Sequence, residues 1–181
     1  MSGQDEFAHA KVAGDKISQA TEDVLDNIDL DQLRLADNKK YQLITSQCQT
    51  IHKTLLDYEQ SGKLGNYVEN PSLIGDYLGK LRLNANQLFA YMNIYIDILN
   101  DLMVAVEKKR QVIYAEHMDT PKGSPNSAAI MSKESTRVEA IKIKVIENTI
   151  QQIKNEYERY NGICMYLQSR MKEFNTERMV G

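Results

Sequence analysis

The chain has 181 residues, 42% hydrophobic and 26% charged, with 9 Gly, 3 Pro and no Trp. This is one domain's length, too apolar for a disordered chain and too poor in turn formers for a many-turned β-sandwich. The formal charge of −3 conceals an asymmetry: residues 1–37 hold three basic and nine acidic side chains, a net of −6, and the rest hold 19 and 16, a net of +3.

The acidic arm comes first, over residues 1–30. Phe7, Val12, Ile17, Val24 and Ile28 give residues 5–28 a helical apolar spacing, loosened at Gly14. Such an arm is either a solvated helix or an intramolecular competitor for a polyanion. The start, Met1-Ser-Gly-Gln-Asp-Glu6, has no basic head and no apolar core, so no secretory signal is expected. Uninterrupted apolar runs are only a few residues long, so no membrane span is expected either.

Three segments then show apolar residues alternating at three and four, the pattern of helices meeting along a seam. In the first, 31–60, the seam is Tyr41, Ile44, Cys48, Ile51, Leu55 and Tyr58. Gly62 and Gly65 end it. The second helix is predicted over 71–117, with Asn70 as cap and Pro71 in the first turn, where a missing N–H costs nothing. Its seam is Leu81, Ala85, Leu88, Met92, Tyr95, Leu99, Leu102 and Val106, continuing to Lys109 and Ile113. A lysine at a seam position either fixes register or ends the seam. Gly75 and Gly79 weaken the first turns and argue for a later start. Residues 119–132 contain Pro121, Gly123 and Pro125 and read as a connecting loop. The third helix, 133–176 with Ser132 or Ser135 as cap, has the most regular seam: Ile143, Ile146, Ile150, Ile153, Tyr157, Tyr160, Cys164, Leu167, Met171 and Phe174. The expected fold is all-α: a long antiparallel helical hairpin or coiled-coil bundle, with a shorter third helix and an acidic N-terminal helical arm.

Apolar residues also lie off the seams. Phe89, Tyr91, Ile94, Ile98 and Val104 do so on the second helix, and Ile141, Ile163 and Tyr166 on the third. The 31–60 helix is too short to cover them all, which predicts a homo-oligomer in which they pack against another copy. Phe89, Tyr91, Ile94, Ile98, Ile163 and Tyr166 are the candidate oligomerisation residues.

Catalytic patterns are absent from the sequence. No P-loop, GxGxxG, HExxH, CxxC pair or EF-hand loop occurs. Cys48 and His52 are four apart, but no second pair exists to complete a tetrahedral site. Asp97 and Asp101 fall away from the seam and read as a solvated face. Cys48 and Cys164 read as packing residues in a reducing compartment. No enzyme activity, cofactor, metal or small-molecule substrate is expected.

Basic residues cluster instead. Lys108, Lys109, Arg110, Lys122, Lys133, Arg137, Lys142 and Lys144 face Glu116, Asp119, Glu134 and Glu139 within 108–144, a net of +4. A hairpin gathers them at its tip, where they either complement the negative end of the preceding helix or displace counterions from nucleic acid. Tyr114 is placed to stack on an unpaired base.

The run Lys108-Lys-Arg-Gln-Val-Ile-Tyr114, the Gly/Pro loop with Lys122, the element Ser132-Lys-Glu-Ser-Thr-Arg137 and the helix ending Leu167-Gln-Ser-Arg-Met-Lys-Glu-Phe174 together resemble the UvsY-type recombination mediators of tailed phages over roughly 80–176. The resemblance implies a cytoplasmic, non-enzymatic oligomer that binds single-stranded DNA and helps a RecA-like recombinase displace a single-strand binding protein. It carries DNA contact over to Lys108, Lys109, Arg110, Lys122, Lys133 and Arg137. About 70 additional N-terminal residues and a negative net charge depart from that family's pattern. The alternative is a structural or assembly protein, such as a virion component, scaffold or chaperone, acting through coiled-coil self-association.

Overall fold

The computed structural model describes residues 38–61 and 71–180, with Ile28 and Leu35 as single positions. The acidic arm, the start of the predicted 31–60 helix and the loop after Ser61 lie outside the described residues. The protein is all-α. Its described helices are α1 (Lys39–Gln60), α2 (Pro71–Met118), α3 (Pro125–Glu134) and α4 (Arg137–Val180). They contribute to two compact units: a loop unit containing Ile96–Asn148, and a three-helix unit containing Arg34–Tyr95 and Thr149–Gly181.

In the three-helix unit, α1 begins at Asn38, whose side chain accepts a hydrogen bond from the Tyr41 backbone N–H at 3.1 Å. That bond satisfies one of the amides a helix start leaves open. Ile44, Cys48, Ile51 and Leu55 are buried, while Tyr41 and Tyr58 are half-buried. Tyr41 stacks on Tyr91 with ring centroids 6.4 Å apart, and Tyr58 meets Tyr77 at 6.3 Å. Ascending α1 therefore descends α2, and the two run antiparallel. His52 meets the Tyr160 ring edge-on at 6.4 Å and Glu59 meets Tyr166, so α1 and α4 run parallel. Phe89 packs on Tyr157 at 5.3 Å, and Arg82, seven residues earlier, acts electrostatically on Cys164, seven residues later. Those pairs set α2 and α4 antiparallel. Leu81, Leu88, Ile153 and Tyr160 are wholly buried among them. Each such side chain contributes about 1.5–3 kcal/mol relative to exposure.

Two features differ from the sequence reading in this unit. The α2 seam extends back through Leu78 and Ile74, both buried, so Gly75 and Gly79 do not delay the helix. Packing of those two side chains outweighs the roughly 1 kcal/mol that each helical glycine costs. Thr149, not only Ile150, turns inward on α4.

Gly162 sits on the exposed side of α4 with nothing within 4 Å of where a Cβ would lie. Gly162→Ala is expected to stabilise the protein by about 0.5–1 kcal/mol by restricting the unfolded chain. The thermal midpoint should rise; an unchanged or lower midpoint contradicts the open position.

In the loop unit, Leu102, Val106 and Ile146 are wholly buried. The segment 119–132 is not a plain loop: α3 occupies Pro125–Glu134. Ser124 has extended backbone angles and accepts from the Ser127 N–H at 3.2 Å, while the Ser127 hydroxyl accepts from the Ser124 N–H at 3.1 Å. Pro125 then fills the first helical position, where proline is favourable. Gly123 is required for contact: a Cβ there would collide with the His117 and Met118 carbonyl oxygens. The third predicted helix accordingly starts at Arg137 rather than 133, after a break at Ser135–Thr136. There the Thr136 N–H reaches back three residues to the Lys133 carbonyl, and the Ala140 N–H resumes the four-residue step to Thr136.

Within Ile74–Met118 of α2, an 18-residue window has a mean hydropathy of 1.3, so by length and composition alone the helix could cross a membrane. Run length had excluded such a segment; an average taken over a helix-length window does not. Asp97 and Asp101 are exposed within it.

Candidate nucleic-acid interface

The loop unit sorts the predicted basic residues into two groups. The antiparallel register that sets Arg110 beside Thr136 also sets Lys109 beside Glu139. Lys109 Nζ donates to Glu139 Oε1 at 2.6 Å, and the two side chains are 34% and 10% exposed. Burial pushes the Glu139 carboxyl upward. The Lys109 hydrogen bond, the residue's own backbone bond and the charges of Lys109 and Lys142 outweigh it, so the net shift is downward. Arg110 Nε donates to Thr136 Oγ1 at 2.8 Å, and Thr136 is fully buried. Lys109 therefore continues the seam as one half of an ion pair.

The sequence reading missed Thr136 and Glu139, although the signal was present. Thr136, Glu139, Ile143 and Ile146 continue the three–four alternation toward the N-terminus. A search for apolar residues alone stops at Ile143.

Arg110, Tyr114 and Lys133 come together. With Glu107, Gln111, Ala129 and Ser132 they line a trough of ≈ 500 Å³ between the C-terminal part of α2 and α3. Tyr114 is 37% exposed, and Lys133 is exposed. His117 anchors α3 beside the trough, its Nε2 lying 2.9 Å from the Ser127 hydroxyl. One wall carries the Glu107 carboxylate, which accepts from the Gln111 side-chain amide at 3.3 Å. Lys108, Lys122 and Arg137 are exposed but do not line the trough. Arg137 lies 3.5 Å from Glu134 in a solvent-exposed pair, a geometry of little energetic consequence.

The candidate oligomerisation residues divide similarly. Ile94 is 52% exposed and shares a helix face with exposed Leu83, three turns away. Phe89 is exposed at its edge while its ring packs on Tyr157. Tyr91 is half-buried between Tyr41 and Tyr95, so its own chain already covers much of it. Ile98 is half-buried in the loop unit. Ile163 and Tyr166 line a second groove of ≈ 440 Å³ between α1 and α4. The Tyr166 hydroxyl donates to Glu59 at 2.6 Å in that region.

Both cysteines are free and buried. Burial pushes Cys48 up to about 12, with Cys164 and Glu156 adding to the rise, so the thiol stays protonated and inert. Burial and the nearby Arg159 hold His52 below its usual value. Among the described residues, no three His, Cys, Asp or Glu side chains converge in a metal-holding group. Comparison with protein-family models, with curated proteins and with solved structures found no match.

Proposed function

We propose that the protein is a non-enzymatic helical accessory factor that binds single-stranded nucleic acid in the trough of the loop unit, as an assistant to a DNA recombinase or single-strand binding protein. The observation that carries this reading is the convergence of Arg110, Tyr114 and Lys133 on one trough. Two cations and an exposed ring lining one trough match an unpaired strand, whose phosphates need charge and whose bases offer faces for stacking. Lys108, Lys122 and Arg137 extend the basic surface around it. The resemblance to the UvsY-type mediators supports the same reading and supplies the recombinase partner.

Fluorescence anisotropy with a labelled oligonucleotide of about 20 nucleotides tests it. Binding should weaken sharply between about 50 and 200 mM salt. Tyr114→Ala should lose about tenfold in affinity, through the lost stacking. Lys133→Ala should weaken binding and flatten the salt dependence by about one phosphate's worth. Salt-insensitive binding, or none, rules the reading out.

The second reading is an assembly protein acting through self-association. The exposed Leu83–Ile94 face of α2 favours it, since isolated apolar residues are common on surfaces but aligned ones mark contacts. Here Ile94→Glu should reduce the mass measured by light scattering while Lys133→Ala leaves it unchanged.

A further inference from the structure

Lys109 and Arg110 are adjacent in sequence and differently held in the structure. Glu139 takes the lysine's charge; Thr136 takes only one N–H of the arginine. Thr136 is wholly buried, and its hydroxyl is fixed at both ends. It donates to the Ser132 carbonyl at 3.0 Å and accepts from Arg110 Nε at 2.8 Å. Its backbone belongs to the α3–α4 break, where the amide bonds to Lys133 and the carbonyl accepts from Ala140. The acceptor is thus held by secondary structure on both sides.

We propose that Thr136 is a positioning residue for phosphate recognition, and that Arg110 meets a phosphodiester in the trough through a preset guanidinium edge. The inference rests on the trough being a nucleic-acid site and assigns its arginine a specific chemistry. A guanidinium is planar, so fixing Nε fixes the plane. The remaining N–H groups form the fork that matches two oxygens of one phosphate. Rotamers that a free arginine loses on binding are already restricted before the ligand arrives. Thr136 itself does not line the trough. It acts through Arg110. Lys109 does not substitute, because its ammonium is held by Glu139 and is a point charge without the fork.

The experiment uses the full chain and the same labelled single-stranded oligonucleotide. Thr136→Val should lower affinity about tenfold, the effect of one lost hydrogen bond to a charged group. Thr136→Ser should restore wild-type binding. Arg110→Lys should bind as weakly as Arg110→Ala despite keeping its charge. In the Arg110→Ala background, Thr136→Val should cost nothing further. The Arg110 Nε–H resonance should exchange slowly in the wild type and rapidly in Thr136→Val. Should the valine variant not fold, Thr136→Ala supports the same comparison.

Wild-type affinity in a folded Thr136→Val or Thr136→Ala variant overturns the inference, as does an equal loss in the Arg110→Ala background. Full binding by Arg110→Lys overturns the fork. Wild-type protein that binds no oligonucleotide at any salt removes the nucleic-acid reading and this inference together. A wild type that binds and is weakened by Lys133→Ala but not by Thr136→Val removes this inference alone.

Discussion

Tyr160→Ala is expected to lower stability by about 3–5 kcal/mol, whereas Tyr160→Phe should leave it within about 0.5 kcal/mol or raise it. Tyr160 is wholly buried at the centre of the three-helix unit, touched edge-on by His52. Truncation opens a cavity where α1, α2 and α4 meet. The hydroxyl is a different matter. It lies beside the Glu156 carboxylate, which acts on it, but makes no hydrogen bond of full geometry. Burial, then Glu156, pushes this phenol up to about 12, so it stays neutral at any ordinary pH. Removing an unsatisfied buried hydroxyl gives back its desolvation penalty. Chemical denaturation of both variants checks the pair. A phenylalanine variant weakened by more than about 1.5 kcal/mol would mean that the hydroxyl has a partner in solution.

Glu139→Ala is expected to cost about 2–4 kcal/mol, because it leaves the Lys109 ammonium in the seam without a counter-charge. Partial exposure of Lys109 lets solvent soften the loss below that of a fully buried pair. Replacing both residues, Lys109→Met with Glu139→Leu, should recover most of the stability, since apolar residues of similar volume suit a seam flanked by Val106 and Ile146. The carboxyl's value is depressed in the folded state. Its contribution is therefore present above the unfolded carboxylate range and is lost as pH falls through the depressed value. Denaturation midpoints measured from neutral pH into the acid range should fall less steeply in the double variant. Identical slopes in the two proteins would contradict the pair's role.

These two sites also show where a sequence is readable. Tyr160 was placed correctly in its seam, as were Ile146, Ile153, Cys164 and Leu167, because burial of apolar side chains at alternating three and four is a physical requirement of helices that meet along a line. Glu139 and Thr136 occupy the same phase and went unread, because hydrophobicity was the only signal counted and their partners sit about 30 residues away. Helix α3 was hidden for another reason. Pro125 and Ser124 read as breakers when taken singly, and as a helix start when taken with Ser127. Of the candidate contacts, Tyr114, Arg110 and Lys133 share a trough because α3 folds back on α2, a geometry that a loop reading does not contain. Lys109 carried two expectations at once, and its pairing with Glu139 shows what holds it at the seam position.

A repeating seam has an inherent ambiguity: two helices slid past each other by seven residues present nearly the same apolar surfaces. The Lys109–Glu139 pair removes that freedom. One slip would set Lys109 against the wholly buried Ile146 and Glu139 against Glu116, stranding the ammonium and opposing two carboxylates. The opposite slip would set Glu139 against the wholly buried Leu102 and Lys109 against Ser132. Either alignment separates the charges and leaves one or both uncompensated. A single polar rung thus acts as a phase mark for the hairpin, making one alignment unique where the greasy repeat alone would permit several.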